Sequence, residues 1–146
     1  MPMIIDIADS VVAALNHPPD PTPFGMTFTA QRHYRPVFDL AALKVLHVTV
    51  VPRRIEISMW SRSKNVHDIS VDVAVQKKVT ASDVAEIDGL MGLVEQIADF
   101  FRLRRLSSYP DAIWVKTENI PVYEPEHLES KQVFTSVLTL TFRVTR

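Results

Sequence analysis

Apolar residues recur along this chain in two rhythms. Over residues 4–16, Ile4, Ala8, Val11 and Leu15 repeat at helical spacing, with Ile5 and Val12 widening the stripe, so a helix is predicted there. Asp6 and Asp9 lie in its early turns, where negative charge suits the positive end of the helix dipole. Pro18, Pro19, Pro21 and Pro23 follow, so the helix stops by His17 and an extended connection is expected over 17–25.

The period then drops to two. Phe24, Met26, Phe28 and Ala30 alternate with Thr27, Thr29 and Gln31, predicting a strand with one buried face. A turn around 39–44 leads to the almost wholly apolar run 45–51, read as a central strand that Pro52 ends. Ile55, Ile57 and Met59 alternate with Arg54, Glu56 and Ser58, and the polar stretch 61–65 reads as a hairpin loop. Ile69, Val71, Val73 and Val75 then alternate with Ser70, Asp72, Ala74 and Gln76, a half-buried strand.

Helical spacing returns over 83–104. Val84, Ile87, Leu90, Met91, Val94, Ile97, Ala98 and Phe101 form a broad stripe, and Ser82 or Asp83 is placed to cap its start, with Glu86 completing a capping box. Arg102, Arg104 and Arg105 gather at its end, where cations oppose the negative dipole. Leu93 and Phe100 lie off this stripe, which predicts a second apolar face. Strands follow over 112–122 and 132–145, separated by an acidic turn at 124–129. The order α, four β, α, two β predicts a single α+β domain over residues 1–146. Its mainly antiparallel sheet would carry a short N-terminal helix and a long central helix on one face.

Composition narrows the chemistry. The 146 residues include three Gly, ten Pro and no Cys, with 16 basic against 17 acidic side chains. Gly25, Gly89 and Gly92 cannot build a dinucleotide loop or a phosphate-cradling P-loop, and the absence of Cys excludes disulfides, Cys-zinc sites and thiol nucleophiles. A formal charge of −1 is unlike the basic excess of a general nucleic-acid binder. The first residues lack the basic region of a signal peptide, and no apolar run reaches the roughly 18 residues of a membrane span, so a water-soluble protein is expected.

No catalytic constellation emerges. His17, His33, His47, His67 and His127 are scattered, and no serine sits in a nucleophile elbow. Asp68 and Asp72 share a strand face about 13 Å apart, too far for a glycosidase pair, and read as the wet side of the strand. Gly89-Leu90-Met91-Gly92 matches a G-x-x-G nucleic-acid clamp, but continues as helix on both sides, so packing glycines are the better reading. Trp60, at a strand end before the hairpin loop, is a core plug or a partner anchor.

Element order and several segments together resemble a known family. These are the N-terminal helix, Leu46-His47-Val48-Thr49-Val50-Val51-Pro52, the strand over 68–77, the helix ending Val94-Glu95-Gln96-Ile97-Ala98-Asp99-Phe100-Phe101-Arg102, and the closing strand over 133–144. The chain resembles the tail-terminator, or tail-completion, proteins of long-tailed bacteriophages and prophages, lambda-like. That resemblance implies a non-enzymatic structural protein of the virion, made in the host cytoplasm and placed at the head–tail junction. It implies self-assembly into a ring, typically a hexamer, that caps the tail tube and stops its polymerisation. The ring would dock the head connector and pass DNA through its lumen, with no cofactor, metal or membrane. The family carries no signature residues to transfer. Interface residues are therefore expected on physical grounds: Trp60 with Arg62 and Lys64 in a projecting loop, Arg53 and Arg54 as lumen- or partner-facing charge, and Leu93 and Phe100 on the helix's second face. Two other readings are a small enzyme or ligand-binding domain using His47, His67, Asp68 and Asp72, and a nucleic-acid module using Gly89–Gly92.

Overall fold

The computed structural model describes residues 2–36, 41–80 and 82–146. Helix α1 (Met3–Asn16) leads to strand β1 (Ala30–Arg32), a 3-10 turn (Ala42–Lys44), and the long strands β2 (His47–Met59) and β3 (Asn65–Lys78). Helix α2 (Val84–Phe101), β4 (Arg105–Leu106), β5 (Tyr109–Asn119), α3 (Pro125–Lys131) and β6 (Val133–Thr145) complete the chain. The result is a mixed α/β fold: one curled six-stranded sheet, ordered β1-β2-β3-β6-β5-β4, with three helices. Only the β1–β2 pairing is parallel among the described strands.

Strand alternation sorts the two faces. Val71, Val73 and Val75 of β3 lie beside Leu140, Leu138 and Ser136 of β6, and Ile69 beside Phe142. This face meets Ile7, Val11 and Leu15 of α1 and Leu90, Ile97 and Phe101 of α2 in one hydrophobic core. Helices α1 and α2 pack on this face, and Leu128 of α3 is partly buried against the same core. His127 of α3 hydrogen-bonds Thr135, on the opposite face from Phe134 (Nδ1 to Oγ1, 3.1 Å).

Several boundaries differ from the expected ones. The 24–31 strand shrinks to β1: Phe24 packs against the Phe100 ring and Phe28 against Phe24, and neither residue joins a ladder. Part of the predicted turn at 39–44 lies outside the described residues. Its end forms the 3-10 turn, with Leu43 buried. Pro52 does not end β2. Val50 accepts from the His33 N–H (3.0 Å), so its main-chain groups, and those of Pro52 two residues on, face away from β3. Proline's missing donor therefore costs the β2–β3 ladder nothing, and a bulge at Arg53 follows at once.

Helix α2 begins as expected, the Asp83 carboxylate accepting from the Glu86 N–H (3.1 Å). The Glu86 side chain does not close the capping box. It pairs with Lys77 of β3 instead. The helix stops at Phe101, short of the predicted 104, because Leu103 takes a left-handed backbone (φ 59°). Arg104 folds back to donate to the Phe100 carbonyl (2.7 Å), with its guanidinium 3.9 Å from the Phe100 ring centroid. The acidic stretch at 124–129 is not a turn but most of α3, with Pro125 in the first helical turn and Lys131 in the last.

Candidate functional site

Three surfaces concentrate the chain's exposed chemistry. The first is the β2–β3 hairpin, which runs past the end of β1. β1 covers β2 only along Val48–Val50, so residues 53–59 of β2 have no neighbour on their outer side among the described residues. The alternation there is inverted in function: Ile57 is 59% exposed, Met59 80% and Trp60 67%, and Ile55 is exposed too. Cross-strand pairing places Ile55 beside Ile69, Ile57 beside His67 and Met59 beside Asn65, all on the core side of the sheet. The helices do not reach this far, so the stripe is left open. Trp60 is thus no core plug. Its N–H and that of Ser61 both donate to the Lys64 carbonyl (3.0 Å each), closing the loop. Arg62 and Lys64 are exposed in that loop and make no ion pair among the described residues.

The second surface is a polar trough of about 290 Å³ on the opposite face. The sheet's curl brings Arg53, Arg54 and Glu56 of β2 toward Lys116 and Glu118 of β5, across Ser70 and Thr141 at the floor. Its charges are mutually neutralised. Arg53 pairs with Asp72 (3.2 Å), which also accepts from the Thr139 hydroxyl (2.7 Å). Arg143 grips Asp68 with two bonds (2.8 and 3.1 Å), Arg54 pairs with Glu56, and Lys116 with Glu118 (2.8 Å). Hydrogen bonds from Arg143 hold the Asp68 carboxyl below the usual carboxylate value, and those from Lys116 do the same for Glu118. Ser70 and Thr141 share a hydrogen bond (3.0 Å). Arg53 and Arg54, expected as charge offered to a lumen or partner, are each held by a carboxylate of their own subunit.

The third surface is a groove of about 680 Å³ between α2 and β5. Met91, Gly92, Val94 and Ala98 of α2 form one wall, and Trp114, Thr117 and Asn119 of β5 the other, over Leu138. Trp114 is braced by its indole N–H on the Thr117 hydroxyl (2.9 Å). Asp88, Glu95, Asp99 and Arg102 line the groove as well. Gly92 corrects the expectation of a packing glycine, because a Cβ there would meet nothing within 4 Å. Gly89 does pack: its Cβ would sit 3.2 Å from the Met26 methyl.

Other sequence-based candidates disperse. Leu93 (1% exposed) and Phe100 (7%) are buried in the subunit's own core, so the second apolar face of α2 is used internally. Phe100 stacks edge-on against Phe24 and Phe101. His67 and Asp68 project from opposite faces of β3, and His47 bonds the Ala42 carbonyl (2.7 Å), so the site imagined from His47, His67, Asp68 and Asp72 is not assembled. Gly89 and Gly92 both lie inside α2, which removes the loop a G-x-x-G clamp requires. Among the described residues, no group of three or more His, Asp or Glu side chains is placed to hold a metal ion. The α2–β5 groove was missed in the sequence, because its walls come from separate elements that no local spacing connects. No protein-family model matches the chain, and no curated protein sequence matches it.

Proposed function

We propose that this protein is a self-assembling structural subunit, a tail terminator that forms a ring on the end of a long phage tail tube. The observation that carries the self-assembling part is the β2–β3 hairpin, with four exposed apolar residues, Ile55, Ile57, Met59 and Trp60, along a sheet edge left open among the described residues. Apolar edges of this kind mark interaction surfaces, since natural monomers protect their edges with charge, proline or a covering segment. The tail location rests on the resemblance in element order and segments. In this reading the ring, expected to be six-fold, caps the tube and stops its growth. It presents a face to the head connector and passes DNA through its lumen without sequence-specific contact. The subunit requires no catalytic residue, cofactor or membrane for that role, and would reside in the virion at the head–tail junction.

The test combines native mass spectrometry with tube polymerisation. At tens of micromolar the protein is expected to give a closed cyclic species, and to halt elongation when added to polymerising tube subunits from the same phage or prophage. A strictly monomeric protein with no effect on tube length overturns the proposal.

A further inference from the structure

The sheet has two open edges, and they are complementary. Main-chain N–H and C=O groups of alternate residues in a strand point to alternate sides. Asn65 of β3 exchanges both bonds with Arg146 (2.7 and 2.9 Å), so the odd-numbered residues of β3 face β6. Their partners Ile55, Ile57 and Met59 therefore turn their main-chain groups away from β3, toward the side of β2 that has no strand neighbour there among the described residues. The same count runs through β6. Thr139 and Thr141 face β5, opposite Glu118 and Lys116, so Thr117 and Asn119 turn outward from the far edge. β4 covers β5 only through Tyr109 and Ile113, which leaves 115–119 open among the described residues.

We propose that the β2 edge of one copy pairs with the β5 edge of the next, making one continuous sheet across the subunit boundary. Strand direction fits this arrangement. Three successive antiparallel pairings separate β2 from β5, so β2 runs opposite to β5. A second copy laid alongside in the same orientation brings its β2 antiparallel to β5. The faces fit as well. Identical orientation puts the second copy's Ile55, Ile57 and Met59 on the side of Trp114 and Thr117, where the 680 Å³ groove lies open. Charge then selects the register. With Ile55 opposite Thr117, Arg54 falls opposite Glu118 and Glu56 opposite Lys116, unlike charges at both positions. In the single copy, these four side chains pair only along their own strands and are largely exposed.

Two copies of β2 pairing with each other would also match these charges. They would leave the groove beside Trp114 and Thr117 empty, so the β5 edge is the better occupant. A head-to-tail contact leaves both edges of every pair available to further copies, and so propagates to a ring or filament. The inference deepens the ring-forming reading. It rests on the self-association in that reading and not on the tail location.

Cysteine pairing tests it directly, because the chain has no Cys of its own. Facing residues of an antiparallel pair lie about 5.5 Å apart at Cα, within disulfide reach. Ile55→Cys protein mixed with Thr117→Cys protein is expected to give covalent dimers on mild oxidation, and neither variant alone should. Ile57→Lys, exposed and so compatible with folding by circular dichroism, is expected to weaken association roughly tenfold or more by sedimentation velocity. Covalent dimers from Ile55→Cys alone would identify β2–β2 pairing and overturn the inference. An assembly that forms without a 55–117 disulfide and tolerates Ile57→Lys overturns it too, while the ring reading stands. A protein monomeric at hundreds of micromolar overturns both.

Discussion

Asp68 and Arg143 show how single residues are tuned by a neighbour 75 positions away. The guanidinium fork favours the charged carboxylate, so Asp68 holds its proton less tightly folded than unfolded. Its contribution is therefore present above the unfolded value, near pH 4, and is lost as pH falls through the lower folded value. Asp68→Asn is expected to cost at most about 1 kcal/mol at pH 7, since solvent screens this partly exposed pair. Urea unfolding at pH 7 and pH 3 checks it: the gap between variant and wild type should close in acid. An equal gap at both pH values would show that Asp68 acts through something other than its charge. The sequence placed Asp68 and Asp72 correctly on one polar face. It did not reveal their partners, because cross-strand register joins residues that no local spacing connects.

At the scale of elements, the junction between α1 and β1 depends on one side chain. Asn16, the last residue of α1, donates to the Ala30 carbonyl (3.0 Å) and accepts from the Ala30 N–H (2.7 Å). It mimics a strand partner at the start of a three-residue strand that has β2 on one side only. Asn16→Ala should leave both buried main-chain groups of Ala30 unpaired, at about 1–3 kcal/mol. Hydrogen exchange should rise at residues 30–32 while β3 and β6 stay protected; unchanged exchange at 30–32 would remove Asn16 from this role. Periodicity located α1, β3, β6 and the start of α2, where one face is uniformly buried. It misjudged β2, reading Pro52 as a terminator, since the sequence does not say which side of a strand lacks a partner. It also took α3 for a turn, although Pro125 followed by Glu126 is a helix-start pattern.

For the molecule as a whole, the decisive feature is a sheet with two edges that stay open among the described residues, each beside an uncovered apolar surface. If the β2 and β5 edges of successive copies meet, the match between Arg54 and Glu118 can be inverted. Arg54→Glu alone and Glu118→Lys alone are each expected to weaken association, and the double variant to recover most of the loss. Sedimentation velocity reads all three, and a double variant as weak as the sum of the singles would remove that contact from the interface. By itself the sequence determined the helix and strand rhythms and the hairpin loop, because those follow from side-chain spacing within a segment. It read β3 as half-buried, whereas Ser70, Ala74 and Gln76 on its polar side are buried as well, because β3 lies between β2 and β6 in mid-sheet. It also marked Arg62 and Lys64 as surface residues, left Trp60 open between core plug and partner anchor, and erred on Leu93 and Phe100, whose cover comes from Phe24 and the rest of the core. Only the tertiary structure decided that Arg53 and Arg54 are neutralised, that Ile55, Ile57 and Met59 are uncovered, and that a groove opens beside β5. Each of these depends on which strand lies next to which and how far a helix reaches. Those distances are set by packing between segments and are written in no one of them.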